Sequence, residues 1–495
     1  MRNRSFLFRY RGGFLDVLSS GSALSGDHMR SSDARQLLRF SSCPKICEPS
    51  HDSSPISERS GQINMQPKTT IDVLIIGAGA AGLAAWHELH STGLNATVLE
   101  ARDRIGGRIF TDQSTPSPVE LGAEFVHGKP KAIWSILEKA RLEVVESSDT
   151  LLVSGKGELR PYPAIWKFIE KVNKQIDPIQ EISYDQFLAT ADASPFEKLV
   201  AKSYVEGFNA ARAELISVSA VATADRAAAE VEGTRQFRLT AGYGSLIDWL
   251  AAGLPSESLY LQTAVREIRW QRGHVEVVAD CAHGEVTFLA PRLVVTVPLG
   301  VLQLSPGTHG AIQFVPPLPQ KEAALQHLQV GHVIKLMIRF RERFWKIHGQ
   351  FAFVISFDRD IPTWWTQEPL TSNILTGWAG GSAAEGLLNL SRDELLDCAI
   401  RSLGRIFDQA ERWLREQVDG IYYHDWSKDP FSRGAYSYPR VGGLKAAQTL
   451  AEPVNDTIFF AGEATDFQGA NGTVHAALDS GISAARKIAG SSRRG

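Results

Sequence analysis

The residues with the clearest chemical consequence are glycines. Gly77-Ala78-Gly79-Ala80-Ala81-Gly82 follows an apolar run, Ile71 to Ile76, and opens a helical pattern, Ala80 to His90. In such a turn Gly77 permits the reversal and Gly79 lets backbone approach a diphosphate. Gly82 keeps the helix close to the strand, and the helix N-terminus, with Ala81 among the cofactor-binding positions, turns N–H groups and positive potential toward phosphate oxygens. A second apolar strand, Ala96 to Glu100, puts a carboxylate 18 residues after Gly82. A spacing of about 20 suits an acid that bonds a ribose 2′-hydroxyl and disfavours a 2′-phosphate. Strand, turn, helix and strand thus read as the βαβ opening of a dinucleotide-binding unit; a Gly-rich turn of an unrelated α/β protein is the alternative, and the placement of Glu100 argues against it.

Further candidates stand apart from that turn. Glu100-Ala101-Arg102-Asp103-Arg104-Ile105-Gly106-Gly107-Arg108 sets two glycines beside three arginines, suiting a loop that passes under a diphosphate while Arg102 and Arg108 fork onto its oxygens near Gly107. Lys335 is a lone lysine in the apolar strand pattern Gly331 to Phe340, and either snorkels to the surface or works inside. In Glu120-Leu121-Gly122-Ala123-Glu124-Phe125-Val126-His127-Gly128, His127 is either structural or a site residue, and Glu124 either favours a cationic substrate or faces solvent. Glu206 either lines a channel or packs at a helix edge.

The run Glu100 to Arg108 resembles the flavin-binding family that includes monoamine oxidases, polyamine oxidases, lysine-specific histone demethylases and L-amino-acid oxidases. By itself it would also fit phytoene desaturases and protoporphyrinogen oxidases. Phe459-Phe460-Ala461-Gly462-Glu463-Ala464-Thr465 with Gly472-Thr473-Val474-His475-Ala476-Ala477 resembles the C-terminal FAD signature of the amine oxidases. The resemblance runs from about Ile71 to Ala489. It implies FAD, with Glu463 at the ribityl chain and the helix from Thr473 and Val474 aimed at the flavin C2 carbonyl. It places Gly122 and Ala123 at the flavin and the backbone of Val265 at adenine. Lys335 matches the family lysine that holds a water at flavin N5, and Tyr436, in Trp426 to Tyr438, matches the ring beside the flavin face. Thr473 stands where several amine oxidases carry the partner ring. Gly122 to Gly128 resembles the loop of animal-type polyamine oxidases, where the histidine lies near the substrate amine, which makes His127, Lys335 and Tyr436 the catalytic candidates. The carboxylate-binding arginine of L-amino-acid oxidases is absent from this loop, where Phe125 takes the position. No cysteine follows Glu463, so the FAD is expected to be non-covalent. The implied activity is oxidation of a primary or secondary amine, polyamines foremost, with dioxygen giving hydrogen peroxide. The rivals are an FAD-dependent desaturase or dehydrogenase on an apolar substrate, and a silent FAD-stabilised interaction protein.

The elements must carry these residues in a chain of 495 residues, net charge -3, 43% hydrophobic and 22% charged, the composition of a globular protein of two or three domains. That balance gives no field for nucleic acid, and no nucleic-acid, chromatin or metal partner is expected; the oligomeric state stays open. The most apolar run, Val73 to Trp86, is too short to span a membrane. Four scattered cysteines, Cys43, Cys47, Cys281 and Cys398, point to a reducing compartment, and a cytoplasmic location is expected. Residues 1–66, with their many serines and no sustained apolar period, are expected to be a disordered leader; a transit peptide, or a start at Met65, stays open.

The expected fold class is α/β: an FAD-binding Rossmann-like domain plus an α+β substrate domain of the amine oxidase type. Residues 67–128, 236–303 and 446–491 are assigned to the FAD domain, and 129–235 and 304–445 to the substrate domain. Residues 130–235 read as mostly helical, 261–279 and 287–297 as strands, 457–461 as a last strand and 473–489 as a last helix.

Overall fold

The computed structural model describes residues 70–155, 158–357 and 360–492. The leader and the choice between Met1 and Met65 lie outside the described residues.

The opening βαβ forms as its sequence demands. Val73–Ile76 is a fully buried strand, Ala80–Ser91 a helix and Ala96–Leu99 a second strand. A five-stranded parallel sheet follows, in the order Leu259–Tyr260, Ala96–Leu99, Val73–Ile76, Arg292–Val295, Ile458–Phe460. Apart from the half-buried edge strand Leu259–Tyr260, its strands are buried on both faces, which is why they read as continuous apolar runs rather than alternations. The C-terminal helix Val474–Ser492 packs on the first helix, sharing Leu83, Ala85 and Trp86 with Leu478, Ala485 and Ile488 in one core, so the two ends of the body close on each other.

A second sheet of seven strands runs in the order Val418–Tyr423, Val333–Phe340, Ile374–Gly380, Thr363–Trp365, Phe353–Ser356, Leu151–Gly155, Glu158–Pro161. Alternation along Val333–Phe340 decides the fate of Lys335. Ile334, Leu336 and Ile338 point into a core shared with the helix Arg392–Phe407, each worth about 1.5–3 kcal/mol, while Lys335 and Met337 take the opposite face. A one-residue slip would bury the ammonium among leucines, so register is firmly held.

Two expectations need adjustment. The stretch 130–235 contains the strands Val144–Glu146, Leu151–Gly155 and Glu158–Pro161 besides its helices. Val144–Glu146 and Leu151–Gly155 pair far along the chain, with Phe237 to Leu239 and Phe353 to Ser356, so no local period announces them, while Glu158–Pro161 closes a hairpin on Leu151–Gly155. In addition, Gln313–Val315 pairs with Glu267 to Arg269, and Leu318, Ala324 and Leu328 enter the core beneath the parallel sheet, although the sequence division puts them on the substrate side.

Candidate active site

At the glycine-rich turn, Gly82 is forced by contact: a Cβ there would lie 1.9 Å from the Gly77 carbonyl oxygen. Gly79 is different, because a Cβ would meet nothing nearer than the Gly106 oxygen at 3.9 Å. Gly106 N donates to Ala78 O at 2.8 Å, and Gly107, at φ +59°, lies against Gly79, so two glycine backbones run side by side. The first helix has Gly79 as its N-cap, with no side-chain cap and no acid in its first turn, leaving its N–H groups to an anion. A trough without side chains, ending at uncapped donors, fits a diphosphate. Glu100 braces it: Oε2 accepts from Ala78 N at 2.8 Å and Oε1 from Arg102 N at 2.9 Å. Val265 is buried two residues beyond Thr263, whose N–H bonds Glu100 O at 2.9 Å. The two arginines turn to carboxylates of the chain itself. Arg102 reaches Asp429 Oδ1 at 2.6 Å and Ser432 Oγ at 2.9 Å; Arg108 reaches Glu463 Oε1 at 2.9 Å and Ala435 O at 2.7 Å.

Glu463 ties the C-terminal signature to this trough. Its other oxygen accepts from Ser437 Oγ at 2.6 Å, Gly472 N at 2.9 Å and Ser437 N at 3.3 Å. Thr473 caps the final helix, its hydroxyl accepting from Ala476 N at 3.2 Å, and Val474 is the first helical residue.

The loop after Arg108, tied to it by Ala123 N on Arg108 O at 3.2 Å, carries a buried ionic cluster. Lys335, 4% exposed, donates to Gly122 O at 2.9 Å and pairs with Glu124 Oε2 at 2.8 Å. Glu124 Oε1 takes Arg238 Nε at 3.1 Å and Trp365 Nε1 at 2.9 Å. Burial would raise the Glu124 carboxyl, but the two cations outweigh it and hold it below the usual range. Glu120, four residues earlier on the short strand Val119–Glu120, accepts from Tyr243 N at 2.6 Å and Thr111 Oγ1 at 2.7 Å; burial pushes it up to about 7. Arg238 also donates to Ser147 Oγ, Thr366 O and Glu368 O, and lies 4.3 Å from the Phe125 ring. Pairing of this completeness is what a buried charge requires.

His127 stands two residues past this loop's aromatic, with Nδ1 buried and unpartnered among the described residues. Burial lowers its pKa to about 4, so the ring is neutral near pH 7. Its ring meets Phe208 edge-on at 5.5 Å, and the Tyr436 hydroxyl donates to Phe208 O at 2.7 Å. Burial, then Glu463, pushes the Tyr436 phenol far up, so it is a neutral donor. His475 of the C-terminal signature is lowered to about 4 by burial and then by nearby His127. The structure thus gathers His127 and Tyr436 around Phe208 and fastens Lys335 to the same loop at Gly122, beside Ala123.

Glu124 corrects both sequence readings: it neither faces solvent nor waits for a cationic substrate, because Lys335 and Arg238 share it. Glu206 accepts from Ala213 N at 3.1 Å and Ser382 Oγ at 2.9 Å, the packed-edge reading. Arg238, Trp365, Glu120 and Phe208 were not foreseen. Arg238 carried a usable signal, a lone cation between Phe237 and Leu239, the same sign that singled out Lys335.

The parallel sheet with its glycine trough, together with a mixed sheet carrying a buried lysine, defines a dinucleotide-dependent protein with a shielded second site. Residues 80–489 match the family described as flavin containing amine oxidoreductase, and the chain belongs to that family; its cofactor is FAD. It is 30% identical over 454 residues to polyamine oxidase 3 of Oryza sativa subsp. japonica, covering 84% of this chain and 89% of the relative. It is 30% identical to lysine-specific histone demethylase 1B of Mus musculus and 29% to lysine-specific histone demethylase 2 of Homo sapiens. The matches cover 84% of this chain and 52% and 53% of those relatives, so the chain spans about half their length. Among solved structures, putrescine oxidase with bound putrescine superposes with a TM-score of 0.72 at 23% identity, over 85% of this chain and 99% of that one. Cyclohexylamine oxidase from Brevibacterium oxydans gives 0.73 at 20%, over 86% and 100%. These two likenesses establish the fold.

Proposed function

We propose that the chain is an FAD-dependent amine oxidase acting on primary or secondary small-molecule amines, the polyamines among them, with dioxygen as acceptor. When FAD is bound, the chemistry it supplies is acceptance of a hydride from the carbon next to the amine nitrogen and passage of two electrons to dioxygen, giving an imine, which water hydrolyses, and hydrogen peroxide.

The chain's own residues bind, orient and desolvate. The glycine trough, Glu100, Val265, Arg102, Arg108, Glu463 and the Thr473 helix terminus hold the cofactor, on a division in which residues 67–128, 236–303 and 446–491 form the FAD domain and residues 313–328 pack with it. Lys335, fixed by Gly122 O and Glu124, keeps one positive charge at a set place. Tyr436 presents a neutral ring, and His127 Nδ1 accepts a hydrogen bond from the substrate nitrogen and so orients its neighbouring carbon. Of the described cysteines, Cys281 bonds Gly284 O at 3.2 Å on a hairpin and Cys398 lies in the core under the seven-stranded sheet, placements that support non-covalent FAD. No helix among the described residues is long and apolar enough to cross a membrane.

The observation that carries the proposal is the buried, unpartnered His127 nitrogen, held in a shell of rings by the same loop that anchors Lys335. Anaerobic mixing of the yellow protein with a panel of amines tests it: loss of oxidised-flavin absorbance, then peroxide on admitting air, is expected. Reduction by amines without peroxide favours a dehydrogenase, and no bleaching with any amine overturns the proposal.

A further inference from the structure

Aromatic rings connect the surface to His127. Trp166, on the helix Ala164–Asn173, meets Tyr204 edge-on at 5.7 Å; Tyr204 stacks on Phe208 at 5.4 Å, one turn along the helix Pro195–Asn209; Phe208 meets His127 at 5.5 Å. The run does not stop there. Phe125 lies 6.1 Å from His127 and 5.6 Å from Trp365, the ring beside Lys335. At its outer end Trp166 is 48% exposed, and Phe208, deeper in the run, is still 47% exposed. Rings of this size left open to water on one side, in line with a buried nitrogen that has no partner, mark a surface shaped for a ligand.

The chemistry of the run sorts ligands. None of its members is a carboxylate; of the carboxylates near it, Glu206 is turned to Ala213 N and Ser382 Oγ, and Asp225, near enough to act on the Tyr204 phenol, accepts from Asn173 Nδ2 at 3.0 Å. A bare polyamine carries further ammonium groups that need anionic partners along the way. An alkyl or aryl substituent needs only apolar faces.

We infer that the preferred substrates carry an apolar or aromatic substituent, which lies along Trp166, Tyr204 and Phe208 while the amine reaches His127. This rests on the amine oxidase reading and narrows its substrate class.

Two amines with the same four-carbon spacer test it on the holoenzyme: 4-phenylbutylamine, ending in a ring, and butane-1,4-diamine, ending in a second charge. The aryl amine is expected to have a kcat/KM at least about ten-fold higher. In Trp166→Ala that ratio should fall by about ten-fold, through the KM of the aryl amine rather than through kcat, and Trp166→Phe should restore most of it. Calorimetric titration with 4-phenylbutan-1-ol, which has no amine to oxidise, should show binding to the wild type that weakens about ten-fold in Trp166→Ala. Equal or better turnover of the diamine, or an unchanged ratio in Trp166→Ala, overturns the inference. A change of oligomeric state in that variant with the ratio intact also overturns it and gives the rings to a second copy of the chain. If no amine reduces the flavin, the functional proposal fails, while the alcohol titration still decides whether the rings bind apolar groups.

Discussion

The glycine trough and the Lys335 cluster are linked through the backbone where Ala123 N bonds Arg108 O, yet they are built by opposite means. At the trough nearly everything follows from residues close in sequence, and the binding groups are backbone amides that cost nothing to place once the strand and helix exist. Lys335, Glu124, Arg238 and Trp365 come from four distant segments, and each is tolerable in the interior only because the others are there. The first site is robust to its surroundings. The second is a mutual dependence, and its residues cannot be read one at a time.

The largest effect should come from testing whether the trough's glycines are equivalent. Gly82→Ala drives a methyl into the Gly77 carbonyl and should cost about 4 kcal/mol or more, seen as loss of soluble folded protein. Gly79→Ala meets no such contact, so the apoprotein should stay within about 1 kcal/mol of wild type in chemical denaturation while retaining at least about ten-fold less FAD. Equal FAD retention would remove Gly79 from the cofactor site. Next in size, Glu124→Ala leaves two buried cations short of their anion and should lose about 3–5 kcal/mol, with Glu124→Gln intermediate. A loss below about 1 kcal/mol would mean that the cluster is not the interdependent unit described.

Lys335→Met separates packing from chemistry. FAD should stay bound while flavin reduction or reoxidation slows about 100-fold, equivalent to about 2.7 kcal/mol. Wild-type stopped-flow kinetics in that variant would withdraw the assignment.

The smallest effect is on pH dependence. Glu120, raised from 4.5 to about 7, binds its proton more tightly folded than unfolded, so it makes stability fall as pH rises through that window. His127 and His475, lowered from 6.5 to about 4, act oppositely, and their contribution grows as pH rises from 4 to 6.5. With two histidines against one glutamate, these three groups should make wild-type stability rise between pH 4.5 and 6.5 with a slope of about one proton, and Glu120→Gln should rise with a slope of about two. Parallel profiles would show that the Glu120 proton is not held as described.

The same contrast explains what could be read in advance. Gly77 to Gly82, Glu100 and the Glu463 signature were legible because their meaning is a local backbone shape followed by a strand or helix of ordinary period. Lys335 was legible as an oddity, a cation in an apolar strand, but its neighbours were not. Arg238 carried the same mark and went unread, since Gln236–Leu239 is a strand of only four residues and offers little period to violate. Glu124 was ambiguous for a deeper reason: whether a carboxylate meets water or a buried ammonium depends on what lies across from it, and that is set by a strand more than 200 residues away.

By itself the sequence determined the βαβ cradle, the carboxylate at its second strand and the paired glycine loops, because these follow from steric limits acting between near neighbours. Only the tertiary structure decided that Lys335 points at Gly122, that Glu124 is spent on two cations, and that Trp166, Tyr204 and Phe208 line up with His127. Those are consequences of sheet register and of how two distant sheets are laid together, and low-dielectric charge pairing and ring contact exist only after that assembly.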